Sequence, residues 1–179
     1  MTLTELRNSL PDYAKDLKLN LDSVLSTGGS PGLDGKQIRA VGIASAIASR
    51  HAPLVAAIEA FAADELTEEQ IAGARAAAAI MAMNNVYYRA THLIGNDEYG
   101  QLRTGLRMNV MANPGLDKAG FELASLAVSA INGCGACMAS HEKILRQHGV
   151  GAQGVQSALK IAAVVHAVAV TLEQSPAVA

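Results

Sequence analysis

The chain has 179 residues, a formal net charge of −2, no Trp and only two Phe, and half of its residues are apolar, many of them alanine. One domain is expected at this length, and thin side chains with few aromatics favour an all-α protein of closely packed helices. With no basic surface to neutralise phosphates and no polybasic stretch, the composition excludes nucleic acid and an anionic membrane surface as partners.

In chain order, the sequence predicts a helix from about Thr4, a turn at Pro11, a second helix through Leu25, and the loop "STGGSPGLDG" as the one plausible linker. Helices follow over 36–48 and 54–63, with a break around Pro53. A long helix opens at Thr67, where "TEEQ" is a capping box, and runs toward Ile94. A further helix is expected over 99–112, stopping at "NPG"; the next runs from after Asp117 to about Ala130. A CxxC-bearing helix and a last one over 153–173 complete the chain. No segment alternates as a strand does.

The N-terminus "MTLTELRNSLPDYAKD" carries acids and a proline where an export signal needs an apolar run. The apolar stretch over 161–171, interrupted by His166, falls short of the roughly 20 residues that span a bilayer. The expected compartment is therefore the cytoplasm, where a CxxC is redox-active or metal-binding more often than a structural bridge.

Sliding the sequence on itself by 84 positions aligns "SAIAS" with "SAING" and "ARAAAA" with "ALKIAA". This suggests one domain over 1–179 with a possible internal duplication: N-terminal helices and loop over 1–35, a degenerate repeat over 36–95, and a CxxC-bearing half over 96–179. On that register Arg50 and Pro53 stand where the second copy has Cys134 and Cys137.

Both cysteines lie in "INGCGACMASHEKI". Asn132 and Gly133 are poor helix-interior residues, so the chain is expected to turn there and restart with one of them near the N-cap, leaving Cys134 in the first turn. Unpaired amides and the helix dipole stabilise a thiolate in that turn. At about 100° per residue, Cys134, Cys137 and His141 fall on one stripe, and His141 is within helical reach of Cys137. A continuous helix would hold Glu122 roughly 18 Å from Cys134. A hairpin about residue 132 would instead bring Glu122 alongside His141, where a carboxylate would orient the imidazole.

Three chemistries fit these residues. A dithiol with a base can reduce a peroxide through a sulfenic acid and a disulfide, or exchange with another protein's disulfide. Cys134, Cys137 and His141, with a strained fourth ligand from Glu122 or His148, form a poor zinc site, so no metal is expected. Two inert packing cysteines are the bland alternative. Neither a GxGxxG after a strand nor a P-loop is present, so electrons would come from another dithiol.

"FELASLAVSAINGCGACMASHEKILRQHGV" closely resembles the AhpD alkyl hydroperoxide reductase family, whose hallmark is Glu, eleven intervening residues and CxxCxxxH. "LPDYAKDLKLNL", "IMAMNNVYYR" and "LRMNVMANPG" extend the resemblance over most of the chain. It implies an AhpD-like helical bundle in the carboxymuconolactone decarboxylase-like superfamily, assembled as a homotrimer. It also implies a lipoyl-dependent peroxidase that reduces the peroxiredoxin AhpC. Electrons would come from dihydrolipoamide on a lipoylated acyltransferase subunit, with dihydrolipoamide dehydrogenase upstream and no tightly bound cofactor. By the same resemblance, Cys137 forms the sulfenic acid, Cys134 is its resolving partner and proton donor, and Glu122 and His141 form the proton relay. The alternative is a disulfide reductase or redox adaptor with little peroxidase activity of its own. One departure bears on this: the mycobacterial type has a histidine between its cysteines, where this chain has Gly135 and Ala136.

Elsewhere, His51, His92, His148 and His166 are expected to pack or face solvent, with His166 placed to cover the dithiol. Met81, Met83, Met108, Met111 and Met138 read as core or interface packing that could also shape an apolar mouth. Asn84 and Asn85 suggest a polar contact between subunits. Arg103 and Arg107, four apart on one helix face, are expected in solvent rather than docking an acidic partner.

Overall fold

A computed structural model describes residues 1–174; residues 175–179, which the sequence assigns to the CxxC-bearing half, lie outside the described residues. Among the described residues there is no strand. The α-helices are α1 (Leu3–Asn8), α2 (Lys15–Val24), α3 (Gly35–Ala48), α4 (Ala52–Ala62), α5 (Glu68–Ile94), α6 (Glu98–Gln101), α7 (Lys118–Ile131), α8 (Gly135–Gln147) and α9 (Ala152–Gln174).

Local chemistry sets these ends. Thr67 accepts the Gln70 amide and the Gln70 side chain returns to the Thr67 amide, the capping box read from "TEEQ". Asp34 and Gln37 do the same for α3. Pro53 sits at the start of α4 rather than in a break, because the first turn needs no amide donor there. The break lies at Ser49 to His51, where Arg50 takes φ +62°.

The hub is α3, which packs against α4, α5, α7 and α9. Its buried face carries Ala40, Val41, Gly42, Ala44 and Ala46, and α7 and α9 answer with Ala124, Ala127, Ala158 and Ala162, so the axes approach closely. Larger buried side chains such as Ile38, Ile58, Leu123 and Ile161 fill the gaps, each contributing about 2 kcal/mol. The apolar helix is longer than the stretch expected over 161–171: α9 is long and apolar enough to cross a membrane, but half of its most apolar window is buried in this core. It is packed by α2, α3 and α7.

The expected helix over 99–112 does not form. α6 ends at Gln101, Leu102 is extended, Gly105 takes φ +67°, and only a short 3-10 turn at Asn109–Ala112 follows. Gly105 favours the left-handed conformation that interrupts a helix. Arg103 and Arg107 therefore lie in an exposed loop and share no helix face.

The helix starts recur. α3 begins at Gly35 and α7 at Lys118, 83 positions on; α4 begins at Ala52 and α8 at Gly135, again 83; α5 begins at Glu68 and α9 at Ala152, 84 on. The left-handed residues Arg50 and Gly133 also match at 83. In this register His51 and Leu54, rather than Arg50 and Pro53, stand opposite Cys134 and Cys137.

Candidate active site

The turn between α7 and α8 places the cysteines. Gly133 takes φ +69°; its amide bonds to the Ala130 carbonyl at 3.1 Å, and the Cys134 amide reaches the Ser129 carbonyl at 2.9 Å. This pair of bonds is the Schellman ending of a helix, and it needs a residue that tolerates positive φ. The sequence places the N-cap at Asn132 or Gly133, but Asn132 closes α7 and Gly133 makes the turn, so the N-cap is Cys134 itself. Its Sγ accepts the Cys137 amide at 3.3 Å.

The turn is clamped from α5. Asn85 donates from Nδ2 to Ser129 Oγ at 2.9 Å and accepts from Asn132 Nδ2 at 3.0 Å, while Arg89 donates to the Asn132 carbonyl. Asn84 and Asn85 are both buried within the chain, so neither is free for the expected subunit contact. The core around an alanine-rich helix has room for a polar pair that ties two helices together.

Cys134 and Cys137 form a disulfide with Cα atoms 5.3 Å apart. Cys134 is 0% exposed and Cys137 7%. The second sulfur reaches a cavity of about 330 Å³ between α5, α7 and α8, whose wall also holds Glu122 and His141 but not Cys134. The predicted stripe is thus split: its first cysteine lies beneath the wall because it serves as the cap.

Folding back at residue 132 brings Glu122 to His141, with Oε2 2.6 Å from Nδ1. Oε1 takes a bond from Lys118 Nζ at 2.7 Å. Glu122 is 1% exposed. Burial pushes its carboxyl up, but the hydrogen bonds from His141 and Lys118 and the charges behind them outweigh this and hold it below the usual carboxylate range. With Nδ1 engaged, Nε2 is the nitrogen left to exchange a proton in the cavity. Met81 Sδ stands 3.2 Å from it, a weak acceptor that a stronger one would replace.

Met81, Met108 and Met111 line the cavity with Tyr88 and Ile144, giving the apolar mouth that the sequence allows. Met138 instead packs on the main core. His166 does not cover the dithiol: it is exposed and its Nδ1 lies 3.3 Å from Ser49 Oγ, so α5 roofs the site instead. His51 pairs with Glu173 at 2.6 Å, and His92 and His148 are exposed. Lys118 was not singled out by sequence, although its spacing of four from Glu122 on a helix is a legible signal. Among the described residues no group of three or more His, Cys, Asp or Glu is placed to share a metal ion.

A chain that is helical and without strands among the described residues, with a CxxC at a helix start backed by a buried histidine and glutamate, belongs to the class of dithiol proteins. The profile of the carboxymuconolactone decarboxylase family matches residues 97–179. Across nearly its whole length the chain is 54% identical to a Streptomyces coelicolor protein named alkyl hydroperoxide reductase AhpD, covering 97% of this chain and 96% of the relative. Proteins of the same name from Frankia alni (53% identical, 97% and 92% covered) and Rhodopseudomonas palustris (51%, 99% and 96%) agree. The chain belongs to the AhpD family.

Proposed function

We propose that this protein is an antioxidant thiol oxidoreductase that reduces hydroperoxides, and the peroxiredoxin AhpC, through the Cys134 and Cys137 dithiol. The observation that carries this is the Glu122 and His141 pair, closed at 2.6 Å, on the wall of the cavity that Cys137 alone of the two cysteines reaches.

His141, oriented by Glu122, takes the Cys137 proton at Nε2. The thiolate attacks the terminal oxygen of the hydroperoxide: the S–O bond forms, the O–O bond breaks, and the alkoxide takes the proton back from Nε2. Cys137 is then a sulfenic acid. Cys134 Sγ, already beneath it, displaces the hydroxyl with its own proton as water, giving the disulfide. Burial of Cys134 suits a resolving thiol that meets no peroxide itself.

Reduction needs an external dithiol, and dihydrolipoamide on a lipoylated acyltransferase subunit, replenished by dihydrolipoamide dehydrogenase, is the donor we assign from family membership. The Met-lined mouth suits the apolar arm of such a group. Exposed Val86, Leu93, Ile94, Leu102 and Val110, from the second half of α5 onward, offer the apolar surface that a homotrimer would cover. Cytoplasmic residence fits the need for that reductant.

In the same proposal the two helical triplets are copies of one unit, only the second of which is equipped. At the 83-residue register Glu122, Cys134, Cys137 and His141 face Arg39, His51, Leu54 and Ile58.

Steady-state reduction of cumene hydroperoxide with dihydrolipoamide tests this. Cys137→Ser abolishes turnover and His141→Phe lowers it by at least about tenfold. Unchanged rates in both variants would sink the mechanism. Reduction of AhpC without peroxide turnover would assign a disulfide reductase, the outcome that Gly135 and Ala136 between the cysteines would explain.

A further inference from the structure

We infer that Asn84 is a second polar contact to substrate in the thiol cavity: its side-chain carbonyl accepts the terminal O–H of an organic hydroperoxide and so holds the oxygen that Cys137 attacks. This rests on the hydroperoxide chemistry proposed above.

Asn84 and Asn85 are neighbours in the alanine-rich α5, where asparagine is a poor helix former. Asn85 explains itself, since its amide and carbonyl are both used to hold the turn that carries Cys134. Asn84 does not. It is 6% exposed, its Nδ2 reaches only Met108 Sδ at 3.2 Å, and its Oδ1 has no hydrogen-bond partner in the chain. Sulfur accepts but a thioether cannot donate, so the amide nitrogen faces Met108 and the oxygen is the unpaired atom. Buried acceptors are nearly always paired, and one that is not calls for a ligand.

The position says which ligand. Asn84 lines the same cavity as Cys137 and His141, and most of that cavity is apolar, with Met108, Met111 and Ile144 beside the polar groups of Tyr88, Ser140 and Lys118. An acceptor among apolar groups selects a molecule with one donor and a hydrocarbon body. A monosubstituted hydroperoxide has that form, and its donor is on the terminal oxygen. Oδ1 is closed to water, so in this proposal the ligand enters by displacing Met108, the unbranched side chain beside the 3-10 turn that touches the same amide at Nδ2.

As the S–O bond forms and the O–O bond breaks, the alkoxide takes the proton from His141 Nε2. The O–H that Asn84 holds stays on its oxygen and becomes that of the sulfenic acid. Asn84 keeps it in place until Cys134 closes the disulfide and the oxygen leaves as water.

The test uses full-length reduced protein and its Asn84→Ala and Asn84→Leu variants. Three quantities are measured: the second-order rate of Cys137 oxidation by cumene hydroperoxide, the rate of alkylation by iodoacetamide, and the thermal midpoint. The hydroperoxide rate falls by about tenfold in both variants, the worth of one hydrogen bond. Alkylation stays within about twofold, because it needs the thiolate but no O–H acceptor. The midpoint is unchanged or higher, since an unpaired buried oxygen has gone. Equal hydroperoxide rates would overturn the inference alone. Alkylation and midpoint falling together with the hydroperoxide rate would also overturn it, making Asn84 a structural residue. Wild type that is alkylated yet inert to hydroperoxide would overturn the proposed function as well.

Discussion

Glu122 and His141 stand 19 residues apart in the chain and meet at 2.6 Å, because α7 and α8 fold back on each other at a single left-handed glycine. The carboxylate is buried and bonded on both oxygens, to His141 and to Lys118. Removing it strands an imidazole and leaves an ammonium without its partner. Glu122→Ala is expected to cost about 3 kcal/mol in urea unfolding. It should also cut hydroperoxide reduction by at least about tenfold.

The same pair makes stability depend on pH with a defined sign. Glu122 titrates below its ordinary range when folded. Its contribution is therefore complete above the unfolded carboxyl's pKa and is lost as pH falls through the lower, folded value. The thermal midpoints of wild type and Glu122→Gln should differ at neutral pH and converge in acid. A gap that widens as pH falls would contradict the assignment.

Gly133 is the hinge of the site. A Cβ there would meet only Arg89 Nη1 at 3.8 Å, so space is not the obstacle. The conformation is, at φ +69°. Gly133→Ala should cost about 1–2 kcal/mol and, by displacing the cap formed by Cys134, slow closure of the disulfide after peroxide treatment. Gly133→Asn, which tolerates the left-handed region better, should recover part of both.

Much of this site is legible in the sequence. Residue spacing alone carried Glu122 to His141, since a break at residue 132 fixes which positions face each other across a hairpin. The capping box at Thr67 and the long α5 were equally direct. What spacing could not deliver were contacts made by a third helix. Met81, Asn84 and Asn85 reach the site across the packing of α5 on α7 and α8, and no periodicity announces which face of an alanine-rich helix does so. The expected helix over 99–112 fails for a different reason: Gly105 sits in a left-handed conformation, which interrupts a helix.

Asn85 supplies a stability test separate from chemistry. It is 1% exposed and bridges Ser129 and Asn132. Asn85→Leu leaves both partners short of a bond, an expected cost of about 2–3 kcal/mol in urea unfolding. Iodoacetamide should then reach Cys134, which is sealed in the native turn, as local opening becomes cheaper.

Lys118 should separate electrostatic tuning from stability. Its side chain is 48% exposed, so solvent screens the ion pair with Glu122 and its loss costs under about 1 kcal/mol. Its hydrogen bond and charge nevertheless help hold the Glu122 carboxyl down, and without them that carboxyl moves back up. Protonated Glu122 no longer serves His141 as a carboxylate acceptor. The acid limb of hydroperoxide reduction should therefore lie at higher pH in Lys118→Met than in wild type, with the rate at neutral pH changed less. Lys118→Arg keeps the cation and should restore the limb. Rate profiles of the three proteins between pH 4 and pH 8, taken beside their thermal midpoints, decide the matter. A limb that stays in place while Lys118→Met unfolds earlier would make the lysine a structural residue with no part in tuning Glu122.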